Sequence, residues 1–390
     1  MLIPYGKHFI DDRDVKSVSK ALNAPLITQG PTINRFEKAV CKLLKVKYAV
    51  AVNSCTSGLQ IAVQAVRKKK MNFVTSPVSF ASTANSILFN NSKPIFTDID
   101  PESLNLDLLE LKKKIKKNKN IRGIIPVHLG GAASGSKELY RFAKKNKLIV
   151  IEDAAHSFGS RYEDGSQVGS CKYSDMSVFS FHPVKTITTG EGGMITTNSR
   201  ELYQKLIVLR NHGIQRDKKF FKNKSLSSNK YGSNPWYYEM VELGFNYRIT
   251  DLQCALGLSQ LKKLKKIINF RRKLANTYDS YFRNFKNLKP LQRHFRKISS
   301  NHLYIIKINF KNLKMQKNQI MKKLQSYGIS TQVHYIPIPL HPYYKNKGYK
   351  VKNIPNSINY YNDGLSIPIH LNLKKKDIFK IINTLKKIIG

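Results

Sequence analysis

The chain has 390 residues, 41% of them hydrophobic and 10% aromatic, which excludes a disulfide-stapled miniprotein and a solvating disordered tail. Lys and Arg number 68 against 24 Asp and Glu, a formal charge of +44, and residues 251–390 hold 29 basic and 4 acidic side chains. The lysines alternate with Leu and Ile at helical spacing, as at Lys112 to Lys114 and Lys262 to Lys266, and no helix-turn-helix, RNA-recognition or zinc signature accompanies them; the charge reads as solvated helix faces, without a dedicated nucleic-acid or membrane partner.

From Tyr48 onward, short β-rich runs alternate with helical patterns. Strands are predicted at Tyr48–Val52, Asn72–Thr75, Pro94–Thr97, Gly123–Val127, Leu148–Ile151 and Met176–Phe181. Helices are predicted at Ser57–Val66, Ser79–Phe89, Leu106–Lys117 and Ser136–Lys145. Such a βαβ series gives an α/β fold with a mostly parallel sheet, and its ligands belong at the carboxyl ends of the strands. A polar, aromatic-rich stretch from Gln215 to Tyr238 reads as a long loop, followed by one long helix over Asp251–Phe282. The remainder, with strands near Leu303–Asn309 and Thr331–Tyr335 and a closing helix Lys376–Ile389, reads as a smaller α+β domain.

Cys41, Cys55, Cys171 and Cys254 form no C-x-x-C pair and read as reduced thiols. Met1 to Ile10 lacks a basic stretch followed by an apolar one, and no run approaches the ~20 apolar residues of a membrane span, so the cytoplasm is the expected location.

Four features fall at strand ends. Asn53 to Gly58, rich in hydroxyls, stands where a strand passes into a helix, and the free amides of a helix N-terminus attract anions. Glu152-Asp153-Ala154-Ala155-His156 puts a carboxylate after an apolar strand. Lys185 follows Ser180-Phe181-His182 and is the only lysine between Lys172 and Lys205, with Gly190, Gly192 and Gly193 close behind. Phe80 supplies an aromatic after Pro77-Val78-Ser79. An amine, a carboxylate, an anion cradle and a flat apolar surface are together what pyridoxal phosphate requires: a Schiff-base partner, a counter-charge for the pyridine nitrogen, a phosphate site and a ring support.

The sequence resembles the DegT/StrS-type sugar-nucleotide aminotransferases, within the fold-type I pyridoxal phosphate enzymes. The likeness is carried by Leu26 to Gly30, Asn53 to Gly58, Glu152 to His156 with Gly159, Ser180 to His182 with Lys185, Glu191 to Gly193, Asn211 to Gly213 and Gly244 to Arg248. Trp236 to Met240, Ser300 to Tyr304 and Gln332 to Tyr335 are worded most like the branch that makes the 4-amino sugar nucleotide of the pseudaminic acid pathway. The resemblance implies an N-terminal arm over residues 1–30, a large cofactor domain over 31–250 and a small domain over 251–390. It implies amino transfer from L-glutamate to C4 of a UDP-linked 4-keto-6-deoxy-N-acetylhexosamine; a C3 or D-gluco C4 aminotransferase is the alternative. Lys185 argues against the deoxygenating members of the family, which carry histidine there. By the same likeness Lys185 holds the Schiff base, Asp153 the pyridinium nitrogen, Phe80 one ring face, and His156 lies near the cofactor's phenolic oxygen. Thr56, Ser57 and Ser180 are expected on the phosphate, with Asn246 reaching it from the neighbouring subunit of a homodimer. Tyr5, Thr28, Gln29, Asn301, His302, Tyr304 and His334 are expected to line the nucleotide-sugar pocket.

Overall fold

The β-rich runs pair into one sheet of seven strands, β1 (Tyr48–Val52), β2 (Asn72–Thr75), β3 (Lys93–Phe96), β4 (Ile121–Ile125), β5 (Ile149–Asp153), β6 (Met176–Ser180) and β7 (Gly193–Thr197), in the order β1-β7-β6-β5-β4-β2-β3. The structure, a computed structural model, describes residues 2–67, 71–118 and 120–390. Every neighbouring pair is parallel except those of β7, which runs antiparallel to both β1 and β6. β1 to β6 therefore all point the same way, and their carboxyl ends share one edge. The fold is of the expected α/β class, with a mostly parallel central sheet between helices.

The strands are near-continuous apolar runs because helices cover both faces of the sheet. α1 (Asp12–Leu22) and α2 (Pro31–Leu44) precede the sheet, and α3 (Cys55–Val66), α4 (Ala81–Phe89), α5 (Leu108–Lys117), α6 (Ser136–Lys145) and α7 (Arg200–Arg210) lie between or after its strands. Phe36, Leu44, Phe158, Phe179 and Phe181 are core on one side; Leu59, Phe73, Ile151 and Ile195 are core on the other. No side chain of its own caps α2: Asp251, far along the chain, accepts from Gly30 N at 2.7 Å and Thr32 N at 2.8 Å instead.

The structure departs from the sequence reading at several elements. Strand β7 was not expected, since Gly193-Met194-Ile195-Thr196-Thr197 follows a glycine-rich turn. The helix expected over Asp251–Phe282 is two, α8 (Asp251–Leu261) and α9 (Leu264–Tyr281). At the break, Lys263 Nζ pairs with Asp11 at 2.6 Å and with the buried Asp14, pinning α1 to the junction. Thr331–Tyr335 is no strand but an irregular segment with a single bridge, Gln332 to Ser366, while Gly364–Ile367 is a strand that had not been predicted. That strand is β10 of a small antiparallel sheet, after β8 (Leu288–Pro290) and β9 (Tyr304–Ile308). A second core of Tyr278, Phe282, Ile306, Leu324, Ile381 and Leu385 surrounds it, built with α9, α10 (Lys317–Ser326) and α12 (Lys375–Ile389); α11 (Pro355–Asp363) leads into β10.

The stretch from Gln215 to Tyr238 holds two-residue pairings, a 3-10 turn at Lys218–Phe220 and a four-residue helix at Lys224–Ser227, and Trp236 is 72% exposed. Among the described residues no helix is long and apolar enough to cross a membrane.

Candidate active site

The carboxyl ends of β1, β2, β4, β5 and β6 open on one cavity of about 640 Å³, within the range of ligand pockets. Its wall comprises Cys55 and Thr56 after β1, Phe80 after β2, His128 after β4, Asp153 and His156 at the end of β5, and Ser180, His182 and Lys185 after β6. The side opposite the sheet comes from Tyr5 and from His302, His334 and Tyr335 of the C-terminal third. The chain returns from Lys185 through Thr188 and Thr189, which bind back to the Phe181 carbonyl, and then enters β7.

The anion cradle depends on a close approach. Ser54 caps α3, its hydroxyl accepting from Ser57 N at 3.1 Å, so the amides of Cys55 and Thr56 are the first of the helix and have no carbonyl within it to bind. A Cβ on Gly193 would lie 2.7 Å from the Ser54 carbonyl oxygen, so only glycine at the start of β7 lets this turn sit against the sheet.

Charge in the cavity is set by burial. The Lys185 amine is lowered to about 8, because a desolvated ammonium is disfavoured, while Cys55 and Asp153 resist the shift. The Asp153 carboxyl is raised by burial, opposed by Thr83 Oγ1, which donates to Oδ2 at 2.6 Å, and by Ala155 N, which donates to Oδ1 at 3.2 Å. Desolvation together with the Lys185 charge holds His156 and His302 well below the usual imidazole range and brings His334 to about 3. The three imidazoles are therefore neutral at physiological pH.

Nine of the residues singled out in the sequence meet in this cavity: Tyr5, Thr56, Phe80, Asp153, His156, Ser180, Lys185, His302 and His334. The others lie elsewhere. Ser57 is buried in the cap, its hydroxyl 2.7 Å from Asn53 Oδ1 and 2.8 Å from the Ser54 carbonyl. Asn301 is buried behind the wall, its amide donating to the Arg296 and Ser299 carbonyls. Tyr304 is core of the small sheet, with its hydroxyl donating to Asp279 Oδ1 at 2.7 Å, so its side chain faces away from the cavity. Thr28 bridges to Thr250, and Gln29 borders a separate depression with Asn211 and Arg248; both are exposed. Asn246 is exposed too, bridged to Asn211 and outside the cavity of its own chain.

Sequence reasoning missed Thr83, one turn into α4 after Phe80, and His128 on the wall, and it assigned no role to His182, Glu191 and Tyr335, wall residues that lie within the motifs carrying the likeness. Thr83 carries no signal by itself, because a threonine at this place in a helix is usually core. Tyr335 stands next to a residue that had been singled out, and its adjacency was the available cue.

The residues fit pyridoxal phosphate. They supply an amine of lowered basicity, an ionisable carboxyl at a strand end, a hydroxyl-lined helix N-terminus and an exposed phenyl ring. Two buried acceptors or donors at the wall, His128 Nδ1 and His302 Nδ1, have no partner among the described residues.

Residues 8–386 match the model of the DegT/DnrJ/EryC1/StrS aminotransferase family. A transaminase of Campylobacter jejuni named for UDP-4-amino-4,6-dideoxy-N-acetyl-beta-L-altrosamine is 36% identical, over 99% of this chain and 99% of that protein. The spore coat polysaccharide biosynthesis protein SpsC of Bacillus subtilis is 34% identical over 99% of this chain and 97% of its own length. Among solved structures, Helicobacter pylori PseC, described as an aminotransferase of pseudoaminic acid biosynthesis, superposes with a TM-score of 0.90 at 32% identity, covering 100% of this chain and 99% of that one. A Streptococcus pneumoniae sugar aminotransferase, Spr1654, solved in its PLP form, gives 0.87 at 26% identity, over 100% and 98%. The chain belongs to the DegT/DnrJ/EryC1/StrS family and is a pyridoxal-phosphate-dependent aminotransferase.

Proposed function

We propose that this aminotransferase takes the amino group of L-glutamate and places it at C4 of a UDP-linked 4-keto-6-deoxy-N-acetylhexosamine, forming UDP-4-amino-4,6-dideoxy-N-acetyl-β-L-altrosamine. The net exchange trades the amine of glutamate for the ketone oxygen of the sugar. The observation that carries the reading is Lys185, a buried amine lowered to about 8 that shares one cavity with the Asp153 carboxyl. The named relatives, matched over nearly their whole length, supply the sugar.

Pyridoxal phosphate, when bound, supplies the electron sink that stabilises a carbanion beside the amino nitrogen. The chain's own groups do the rest. Lys185 is neutral in a useful fraction near neutral pH and can accept and return the proton that moves between carbon atoms. Asp153, whose charged form Thr83 and Ala155 favour against the effect of burial, would hold a proton on the ring nitrogen, and Phe80 would cover a ring face. Thr56, Ser180 and the first amides of α3 would take the phosphate, and Tyr5, His302 and His334 would offer polar contacts to the sugar nucleotide.

We read the functional unit as a homodimer. Thr28, Gln29 and Asn246 are exposed and do not reach their own cavity, while Leu26, Ile27, Trp236, Met240 and Leu243 nearby in sequence are exposed apolar side chains that a second copy would cover. Residues 31–250 are read as a cofactor domain and 251–390 as a small domain; the second core around Tyr278, Phe282 and Ile306 supports a separate small unit, although Cys254, Leu264, Ile267 and Ile268 pack into the first core. Substrates of this kind put the working location in the cytoplasm.

Incubation with L-glutamate and candidate UDP-4-keto sugars, followed by NMR of the product, tests the assignment. An axial or equatorial amine at C4 distinguishes the two sugar configurations, and amination at C3, or none with any UDP-4-keto sugar, would refute the reading.

A further inference from the structure

The direction of one hydrogen-bond chain in the cavity is fixed by a backbone amide. Gly130 N donates to His156 Nδ1 at 3.2 Å. A backbone N–H can only donate, so Nδ1 is the unprotonated nitrogen and the proton of the neutral ring is on Nε2. The Gly130 amide has little freedom: the Gly130 carbonyl accepts from His302 N at 3.0 Å, and Gln292 Nε2 holds the Leu129 carbonyl at 2.8 Å and the Ser103 carbonyl at 2.7 Å. The His302 ring lies against the same imidazole, tilted by 45° with centroids 4.4 Å apart. His156 Nε2 lies 3.2 Å from Tyr335 Oη. Nε2 donates there, so the Tyr335 oxygen accepts and its own proton must go elsewhere.

That proton has no other acceptor among the described residues, and Tyr335 is on the cavity wall, its ring 6.0 Å from that of Phe80. Burial and the nearby Asp153 push the Tyr335 hydroxyl well above the ordinary phenol range, so it remains a donor and not a phenolate. The groups that face it are Asp153 and His156 from the end of β5, Cys55 from α3, Tyr5 from the N-terminal segment, and Tyr360 from α11.

We infer that Tyr335 is a catalytic residue of this aminotransferase, a neutral hydroxyl donor aimed by the Gly130–His156 chain at an acceptor oxygen of the group bound in the cavity. The inference rests on the cofactor-dependent reading of the site. Two sources offer such an oxygen: the phenolic oxygen of the cofactor, and a hydroxyl, carbonyl or carboxylate oxygen of a substrate. His156 is then a positioning residue, whose tautomer decides that Tyr335 gives its proton to the ligand and not to the imidazole.

The test uses the holoenzyme and its Tyr335→Phe variant, which keeps the ring and removes the donor. A donor to the cofactor's phenolic oxygen draws charge from it, so its loss should raise the pH at which the visible cofactor band titrates by about one unit. If the oxygen belongs to a substrate, the titration stays put and the KM for glutamate or for the keto sugar rises about tenfold with kcat nearly constant. A variant that loads cofactor and shows neither change overturns the inference while leaving the aminotransferase assignment intact; wild type that binds no cofactor would overturn the assignment itself. The wild-type protein provides a second measurement that needs no variant. Histidine-selective 15N NMR should find the His156 proton on Nε2; a proton on Nδ1 would mean that Tyr335 donates to the imidazole, and the inference would fail.

Discussion

Thr83 Oγ1 donates to Asp153 Oδ2 across 2.6 Å, linking the first turn of α4 to the last residue of β5. Burial raises the Asp153 carboxyl, and this hydrogen bond to its charged form is the largest of the effects that oppose the rise. Thr83→Val removes the donor at nearly constant volume. The acid limb of the kcat/KM profile should then move to higher pH, with turnover at neutral pH down about tenfold, the worth of one hydrogen bond to a charged group. Thr83→Ser should stay near wild type. Equal profiles for Val and Thr would show that the pair is only structural.

Asp153→Asn should keep the fold and part of the cofactor but lose turnover by two or more decades, roughly 3 kcal/mol of barrier, since an amide cannot hold a proton on the ring nitrogen. Single-turnover kinetics with glutamate read the effect directly. Activity within a few-fold of wild type would contradict the role.

Purified protein should be yellow, with a cofactor bond that borohydride reduces onto Lys185, mapped by mass spectrometry of the peptide. Lys185→Ala should lose that bond. A reducible cofactor bond retained in the variant would move the assignment to another amine.

Acid should destabilise the chain from the histidine side. His156, His302 and His334 are neutral in the fold and bind protons more readily once unfolded, so stability rises with pH through the window that runs, for His334, from about 3 to the ordinary imidazole value near 6.5. The raised Asp153 carboxyl works the other way, favouring the fold when protonated, but it is one group against three. Denaturant midpoints should fall between pH 7 and pH 4, with His334 alone worth about 3 kcal/mol at the lower end. His334→Asn should flatten the slope; an unchanged slope would place the acid sensitivity elsewhere.

Mixing inactive Lys185→Ala with inactive Asn246→Asp chains, under conditions that permit exchange, should restore part of the activity. In a mixed dimer with shared sites, one of the two sites contains both native residues. The charge of +44 on each chain opposes association, so the dimer should weaken at low salt, where screening extends beyond ~8 Å. Sedimentation across a salt series follows this. An active monomer, or demonstrated exchange without recovery, would rule out the contribution of Asn246 from a second chain.

The sequence by itself determined the α/β class and the groups that cluster at the strand ends. Both are local signals: a buried parallel strand must be an apolar run of about five residues, and a residue just past such a run, as Asp153 and Lys185 are, must lie on the ligand edge of the sheet. Even so, β5 runs on to Asp153 itself, so the carboxylate is the last rung and not the turn after it. Only the tertiary structure decided the rest. β7 is a strand because it fits antiparallel between β1 and β6, where Gly193 admits the α3 turn; nothing in its glycine-rich approach says so locally. The long helix breaks at Lys263 because Asp11 and Asp14, some 250 residues earlier, hold its amine. Asn301, His302 and Tyr304 show the limit most plainly. They are near neighbours in sequence, yet one backs the wall, one faces the cavity and one fills the small core, because the chain enters β9 at Tyr304 after a left-handed turn at Asn301. Which face a side chain takes there depends on packing between distant segments, and that information is not present in local spacing.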